Sequence, residues 1–261
     1  ATAAGSPDKP EWMRLRIPTW HGIDGPLYGT NDYATFVRTY HATICSVDDS
    51  VGEIYETLRA SGELDNTLFV FASDNGFLLG EHGAIDKRVM YEESIRIPML
   101  VRYPELIPEP RVVREMVLNV DLAPTIVDIS NAAPLGRVHG RSWKNLVRGD
   151  AAGWRRSWYY EYNYEKEFPY TPNVRGVRTE EWKYMHSPTA PGKPDSGKAE
   201  LYHLAEDPHE TRNLIDDPAA QTTLAELRAE LLRLQRETGA LPDRMPENPV
   251  IGMELPEESI R

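Results

Sequence analysis

The stretch Ser73-Asp74-Asn75-Gly76-Phe77-Leu78-Leu79-Gly80-Glu81-His82-Gly83-Ala84-Ile85-Asp86-Lys87-Arg88 holds the residues best suited to chemistry. Asp74 and Asn75 place a carboxylate and an amide oxygen side by side, hard donors suited to Ca²⁺ or Mg²⁺. Three glycines let the loop turn sharply and let backbone approach a ligand. Lys87 and Arg88 offer cationic donors for an oxyanion such as sulfate or phosphate. A fixed cation and a lysine are what hydrolysis of a charged ester needs, an electrophilic anchor and compensation of developing negative charge. Each piece also has a plainer use: Asp-Asn-Gly is a common turn, His82 can be structural, and Lys87-Arg88 can be a solvated pair.

The elements around this stretch read as α/β. Thr67–Ala72 is short, apolar and without alternation, so it suits a buried strand of a parallel sheet, with the polar stretch at its carboxyl end. A second strand is expected at Ile97–Tyr103. Residues 33–60 predict an amphipathic helix, with Tyr33, Phe36, Val37, Tyr40, Ile44, Val47, Val51, Ile54 and Leu58 on one stripe. Asn31 or Asp32 is its expected cap and Gly62 its left-handed stop. Cys45 is expected to be a buried small thiol of this helix. Asp121 is expected to cap a helix from Leu122 to about Ile129.

Beyond residue 150 the pattern predicts a small antiparallel sheet from Trp158–Tyr162, Val174–Thr179, Trp182–His186 and Leu201–Leu204. One helix covers it, capped by Asp217 before Pro218, with Leu224, Leu227, Leu231 and Leu234 on one face and Gly239 at its end. The expected organisation is an irregular extended segment over 1–30, an α/β portion over 31–150, a small α+β subdomain over 151–240 and a Pro-rich tail over 241–261.

The chain has 261 residues and a net charge of −12. That argues against a nucleic-acid or anionic-membrane partner held by net charge. No apolar run approaches the ~20 residues of a membrane span. One cysteine excludes a disulfide within the chain and a cysteine-rich metal site.

Ser-Asp-Asn-Gly-Phe-x-Leu-Gly-Glu-His-Gly, followed by Asp-Lys-Arg, Met-Tyr-Glu-Glu-Ser and Arg-x-Pro, closely resembles the sulfatase family of the alkaline-phosphatase superfamily. The nearest look is to enzymes acting on sulfated sugars. Val120-Asp121-Leu122-Ala123-Pro124-Thr125 and His139-Gly140-Arg141-Ser142 agree with it. So do Arg175-Gly176-Val177-Arg178, Trp182-Lys183-Tyr184, Glu200-Leu201-Tyr202 and Asp207-Pro208.

The resemblance implies an alkaline-phosphatase-like fold and hydrolysis of a sulfate ester, with a sulfated carbohydrate as partner. It implies that Asp74 and Asn75 are two ligands of a divalent metal, usually Ca²⁺. Lys87 would be the catalytic and sulfate-contacting lysine, and His82 a loop-shaping or substrate-facing residue. It also implies a periplasmic, extracellular or lysosomal location.

The family's nucleophile is a formylglycine made from Cys or Ser in Cys/Ser-x-Pro/Ala-x-Arg. Here Cys45 is followed by Ser46-Val47-Asp48-Asp49, without that pattern. The expectation is therefore a C-terminal portion of a sulfatase, inactive alone, with the N-terminal half as a partner. A phosphodiesterase or phosphonate hydrolase of the same superfamily, or a non-catalytic sulfated-glycan-binding module, are the alternatives. Arg88, Arg96, Arg137, His139, Arg141, Arg175 and Arg178 are further candidate cations, read as ordinary surface charges. Trp182 and Tyr184 are read as core rather than as sugar-stacking rings.

Overall fold

The structure is a computed structural model, described here for residues 8–19, 21–25, 32–166, 171–193, 195 and 197–247. The chain forms two compact units. One comprises residues 1–31, 75–96 and 157–261, and the other comprises 32–74 and 97–156. The motif segment 75–96 thus belongs with the C-terminal sheet, although the strand leading into it belongs to the other unit.

The second unit contains the long helix α2 (Tyr33–Ser61), strand β1 (Phe69–Ala72), strand β4 (Met99–Arg102) and helix α4 (Leu122–Ile129). Asp32 caps α2 by accepting the Thr35 N–H at 2.9 Å, and Gly62 ends it with φ of 79°. Asn31, the other expected cap, lies outside the described residues.

β1 and β4 pair antiparallel, Phe69 opposite Arg102 and Ala72 opposite Met99. The strand is where its apolar run put it, but the parallel pairing expected for it is not what it makes with β4. A core of Leu106, Trp143, Leu146 and Val147, with Leu68, Met99 and Leu122 against it, holds this unit together.

The apolar stripe of α2 is present but only partly covered among the described residues, with Phe36, Val37, Tyr40, Val51 and Leu58 half-buried. No residue of this helix is buried, and Ile44, Val47 and Ile54 are about half exposed at 48, 49 and 55%. Cys45 is exposed with it, which corrects the expectation of a buried thiol. The physical reason is that periodicity predicts a face able to pack, not that a partner is at hand.

Asp121 also differs from expectation. Its side chain does not cap α4 but is fully buried. It accepts the N–H groups of Leu118 at 2.7 Å and Arg141 at 2.8 Å, and a two-pronged Arg155 guanidinium. Thr125 Oγ1 then accepts the Trp143 N–H at 3.0 Å. The Asp-x-x-Pro-Thr segment thereby ties α4 to the turn after Gly140.

The first unit is built on a four-stranded antiparallel sheet of β5 (Ser157–Tyr162), β6 (Val174–Thr179), β7 (Trp182–His186) and β8 (Glu200–His203), in that order. Helix α5 (Gln221–Thr238) covers one face. Its Leu224, Leu227, Leu231 and Leu234 pack with Val177, Tyr184, Leu201 and Ile215. Asp217 accepts the Ala219 N–H at 2.9 Å as the chain enters a 3₁₀ turn before α5.

The other face carries a second core of Met13, Leu78, Val89, Met90, Tyr91, Val174, Met185 and Tyr202. Trp182 stacks on His203 and Tyr184 is buried, so both aromatic residues serve the sheet. The irregular segment expected over 1–30 contains a helix, α1 (Glu11–Arg16), that buries Met13 and Arg16; residues 1–7, Trp20 and 26–31 lie outside the description. Proline-rich flanks hid a helix of six residues, too short to show a period. Among the described residues, no helix is long and apolar enough to cross a membrane.

The two helices give opposite expectations for truncation. Leu231→Ala should destabilise the first unit by about 2–5 kcal/mol, the usual cost of emptying a leucine site. Ile44→Ala on the exposed part of the α2 stripe should change stability by less than about 0.5 kcal/mol. Urea unfolding of both variants checks this, and equal losses would contradict it.

Candidate functional site

The motif segment leaves β1 at Ser73 and runs through two short paired strands, β2 (Leu78–Leu79) and β3 (Ile85–Asp86), into the single-turn helix α3 (Glu92–Ile95). Its backbone folds tightly on itself. The Gly76 N–H donates to the Ser94 carbonyl at 2.8 Å, and a Cβ on Gly76 would lie 2.1 Å from the Glu93 carbonyl oxygen. Only glycine permits that approach. Between β2 and β3, His82 adopts φ of 56°, a left-handed turn unusual for a residue with a side chain.

Most charged groups of the segment are spent on holding it. Glu81 accepts the Leu79 N–H at 2.6 Å. The His82 ring stacks on Tyr91 at 4.1 Å between centroids, and its Nε2 lies 3.4 Å from a Glu93 oxygen. The His82 side chain is only 6% exposed, so its present contacts shape the loop. Asp86 is buried and binds Arg16 at 3.0 Å, His21 at 2.9 Å and Arg88 at 2.8 Å. Burial alone would raise the Asp86 carboxyl, but the His21 hydrogen bond and the Arg16 charge outweigh it and hold it well below the usual range.

Helix α3 is fixed from the sheet. Arg178 and Lys183 are register partners on β6 and β7. Both reach Glu92, at 2.9 and 2.8 Å. Lys183 also binds the Met90 carbonyl and Glu210, and Glu210 accepts the Glu92 N–H at 2.7 Å. Lys9 completes the network through Tyr202 and the Glu210 carbonyl, with Glu200 3.8 Å away.

Arg88, Arg175 and Arg178 are therefore not ordinary surface charges. Arg175 is 1% exposed and forks onto Asp243. Sequence reasoning missed these pairings because their acidic partners lie from two to 86 positions away, with no local spacing rule to join them.

Against this background Asp74 and Lys87 stand apart. Both are exposed, and among the described residues neither the Asp74 carboxylate nor the Lys87 ammonium makes a hydrogen bond or ion pair; the exposed Arg96 guanidinium at the end of the segment makes none either. The backbone on each side is held: Asn119 donates to the Asp74 carbonyl at 3.3 Å, and Ser94 Oγ donates to the Lys87 carbonyl. Asn75 commits its amide nitrogen to the Gly76 carbonyl at 2.8 Å, which orients the oxygen away from that bond. Carboxylate and amide oxygens are the donors a hard divalent cation takes.

A second group that could hold a cation is His82, Glu93 and Glu210, whose ligand atoms lie within 4.8 Å of one another. Glu210 there is already neutralised by Lys183.

The ion pairs of α3 make a pH prediction. Burial alone would raise Glu92, but Arg178 and Lys183 hold its carboxyl down to about 2. Its contribution is fully present above its unfolded value near 4.5 and is lost as pH falls from there toward 2. At neutral pH the shift corresponds to at most about 3 kcal/mol. Glu92→Gln should lower the urea-unfolding free energy by that order at pH 7. The gap from the parent should close by pH 2, and a gap independent of pH would contradict the assignment.

Comparison with known proteins identifies what this arrangement is similar to. The family description "Sulfatase" matches residues 1–132, and "N-sulphoglucosamine sulphohydrolase, C-terminal" matches residues 80–237. An N-acetylglucosamine-6-O-sulfatase of Bacteroides thetaiotaomicron is 35% identical over 212 residues, covering 79% of this chain and 36% of the relative. A choline-sulfatase of Rhizobium meliloti is 31% identical, covering 74% and 35%. A solved structure, described as in complex with its substrate D-glucosamine-2-N,6-O-disulfate, superposes with a TM-score of 0.74. It is 34% identical and covers 81% of this chain and 43% of its own. The phosphonate monoester hydrolase of Agrobacterium radiobacter shares the fold, with a TM-score of 0.71 at 24% identity, over 80% of this chain and 43% of its own. The chain thus spans little more than a third of the length of these curated relatives, and it belongs to the sulfatase family.

Proposed function

We propose that this chain carries part of the metal site and the sulfate-contacting lysine of a sulfuric ester hydrolase acting on sulfated carbohydrate. The observation that carries this is the contrast within the motif segment. Glu81, His82, Asp86, Arg88, Glu92 and Glu93 are engaged in internal contacts, while Asp74 and Lys87, with Arg96 at the end of the segment, are exposed and unengaged among the described residues.

Sulfatase membership points to a divalent metal. In this reading Asp74 and Asn75 give it two oxygen ligands, and Ca²⁺ is the ion such donors suit. When bound, it supplies positive charge against the ester oxygens. Lys87 binds the sulfate and neutralises charge on the leaving oxygen as the S–O bond breaks. His82 shapes the turn that presents Lys87 and lies at the substrate-facing loop.

The nucleophile in this reading is a formylglycine supplied by residues outside this chain. Cys45 has the wrong neighbours, and it sits on an exposed helix. The exposed part of the α2 stripe, with Ile44, Val47 and Ile54, supports further chain as its covering. A sulfated glucosamine is the proposed substrate class, since a relative named N-acetylglucosamine-6-O-sulfatase covers 79% of this chain.

Titration with glucosamine-6-sulfate in the presence of Ca²⁺, followed through the NMR signal of the Lys87 ammonium, tests this. The signal should shift with the sulfated sugar and not with glucosamine, and Lys87→Met should abolish sugar binding. Asp74→Ala should weaken Ca²⁺ binding at least tenfold by calorimetry. An equal response to unsulfated sugar would contradict the reading, and a stronger one to glucosamine-6-phosphate would favour a phosphoryl substrate.

A further inference from the structure

Lys87 follows directly on the most heavily paired carboxylate of the motif segment. Asp86 has φ of 145°, a backbone conformation that side-chain-bearing residues rarely adopt. Three basic side chains converge on its carboxylate, all from the same unit: Arg16 of α1, His21 of the following segment and Arg88 beyond the lysine.

Arg16 is fully buried. Its Nη2 binds Asp86, while its Nε and Nη1 have no hydrogen-bond partner among the described residues. A buried guanidinium with one carboxylate partner holds that carboxylate strongly, because letting go would leave the charge unpaired. The backbone reinforces the clamp. Ile23 N–H donates to the Gly83 carbonyl at 3.0 Å and Ile85 N–H to the His21 carbonyl at 2.9 Å, so Gly22 pairs antiparallel with Ala84 in an isolated bridge. On the far side of Lys87, Ser94 Oγ donates to the lysine's own carbonyl.

We infer that Asp86 is a positioning residue for the anion site. Its carboxylate, clamped by Arg16, His21 and Arg88, fixes the strained backbone from which the Lys87 side chain is presented. This rests on the reading of Lys87 as the sulfate contact. The α1 segment, which makes no contact with the anion in this account, becomes part of the sulfate-recognition apparatus through it. A spare cation beside a lysine would be used to bind anion directly; here Arg16 and Arg88 are turned onto Asp86, so their effect on sulfate passes through the backbone of residue 86.

Asp86→Asn tests the inference by keeping the shape and removing the charge. The variant is compared with the parent chain well below its unfolding temperature, with near-ultraviolet circular dichroism showing that it is folded. Glucosamine-6-sulfate affinity, read from the Lys87 ammonium signal, should fall at least tenfold, while Ca²⁺ affinity measured by calorimetry stays within twofold. A merely structural role would lower the unfolding temperature and leave both affinities of the folded protein unchanged, and that result would overturn the inference. If Asp86→Asn does not fold, Arg88→Gln removes one clamp and leaves the Arg16 pair intact. It should weaken sugar-sulfate binding about threefold, and parental affinity would overturn the inference. Failure of the underlying reading looks different: the parent chain itself would not respond to the sulfate, or Lys87→Met would bind as the parent does.

Discussion

The structure turns on one constraint: the motif segment must be held rigid from several sides while Asp74, Lys87 and Arg96 stay unspent among the described residues. The Gly76–Ser94 contact closes the segment on itself, Asp86 ties it to the N-terminal helix, and Glu92 ties it to the antiparallel sheet. Each tie is a buried or half-buried ion pair or a backbone contact that tolerates no side chain. Buried pairs of this kind add little net stability over apolar packing, but losing one partner is costly, so they specify a conformation. Specification is what a site for a small, rigid anion requires, because binding energy depends on donors already in place.

This explains why the small antiparallel sheet matters to a segment that follows a strand of the other unit. β6 and β7 contribute Arg178 and Lys183 at paired positions, and the α5 leucines pack against Val177 and Tyr184 of the same strands. The covering helix, the sheet and the charge pair form one chain of causes ending at Glu92, five residues beyond Lys87. Residues of the family motif that look chemical, such as Asp121, Arg175 and Glu92, do structural work here. Charge in a motif therefore does not by itself separate catalysis from architecture.

Much of the fold was legible in the sequence. The limits of α4, β6 and β7 match the reading residue for residue, and the leucine face of α5 is buried as its spacing required. These are local signals, set by period, caps and turns. What was not legible depended on distance in the chain. Helix α1 was too short to show a period, and the ion pairs of Arg16, Arg88, Arg175 and Arg178 depend on tertiary contacts. The fate of Cys45 and the α2 stripe depended on what covers them, which periodicity does not encode. For the site, residue type pointed to Asp74, Asn75 and Lys87 only as one of several readings, and resemblance chose among them. The structure adds the engagement of their neighbours.

The central claim is that the cation and the anion gather on Asp74, Asn75 and Lys87. A crystal structure of the chain with Ca²⁺ and glucosamine-6-sulfate, with the cation located by its anomalous signal, addresses it most directly. The account predicts a calcium peak at the oxygens of Asp74 and Asn75, with sulfate oxygens within hydrogen-bond distance of Lys87 Nζ. A calcium peak at His82, Glu93 and Glu210 instead, with the sulfate away from Lys87, would contradict it.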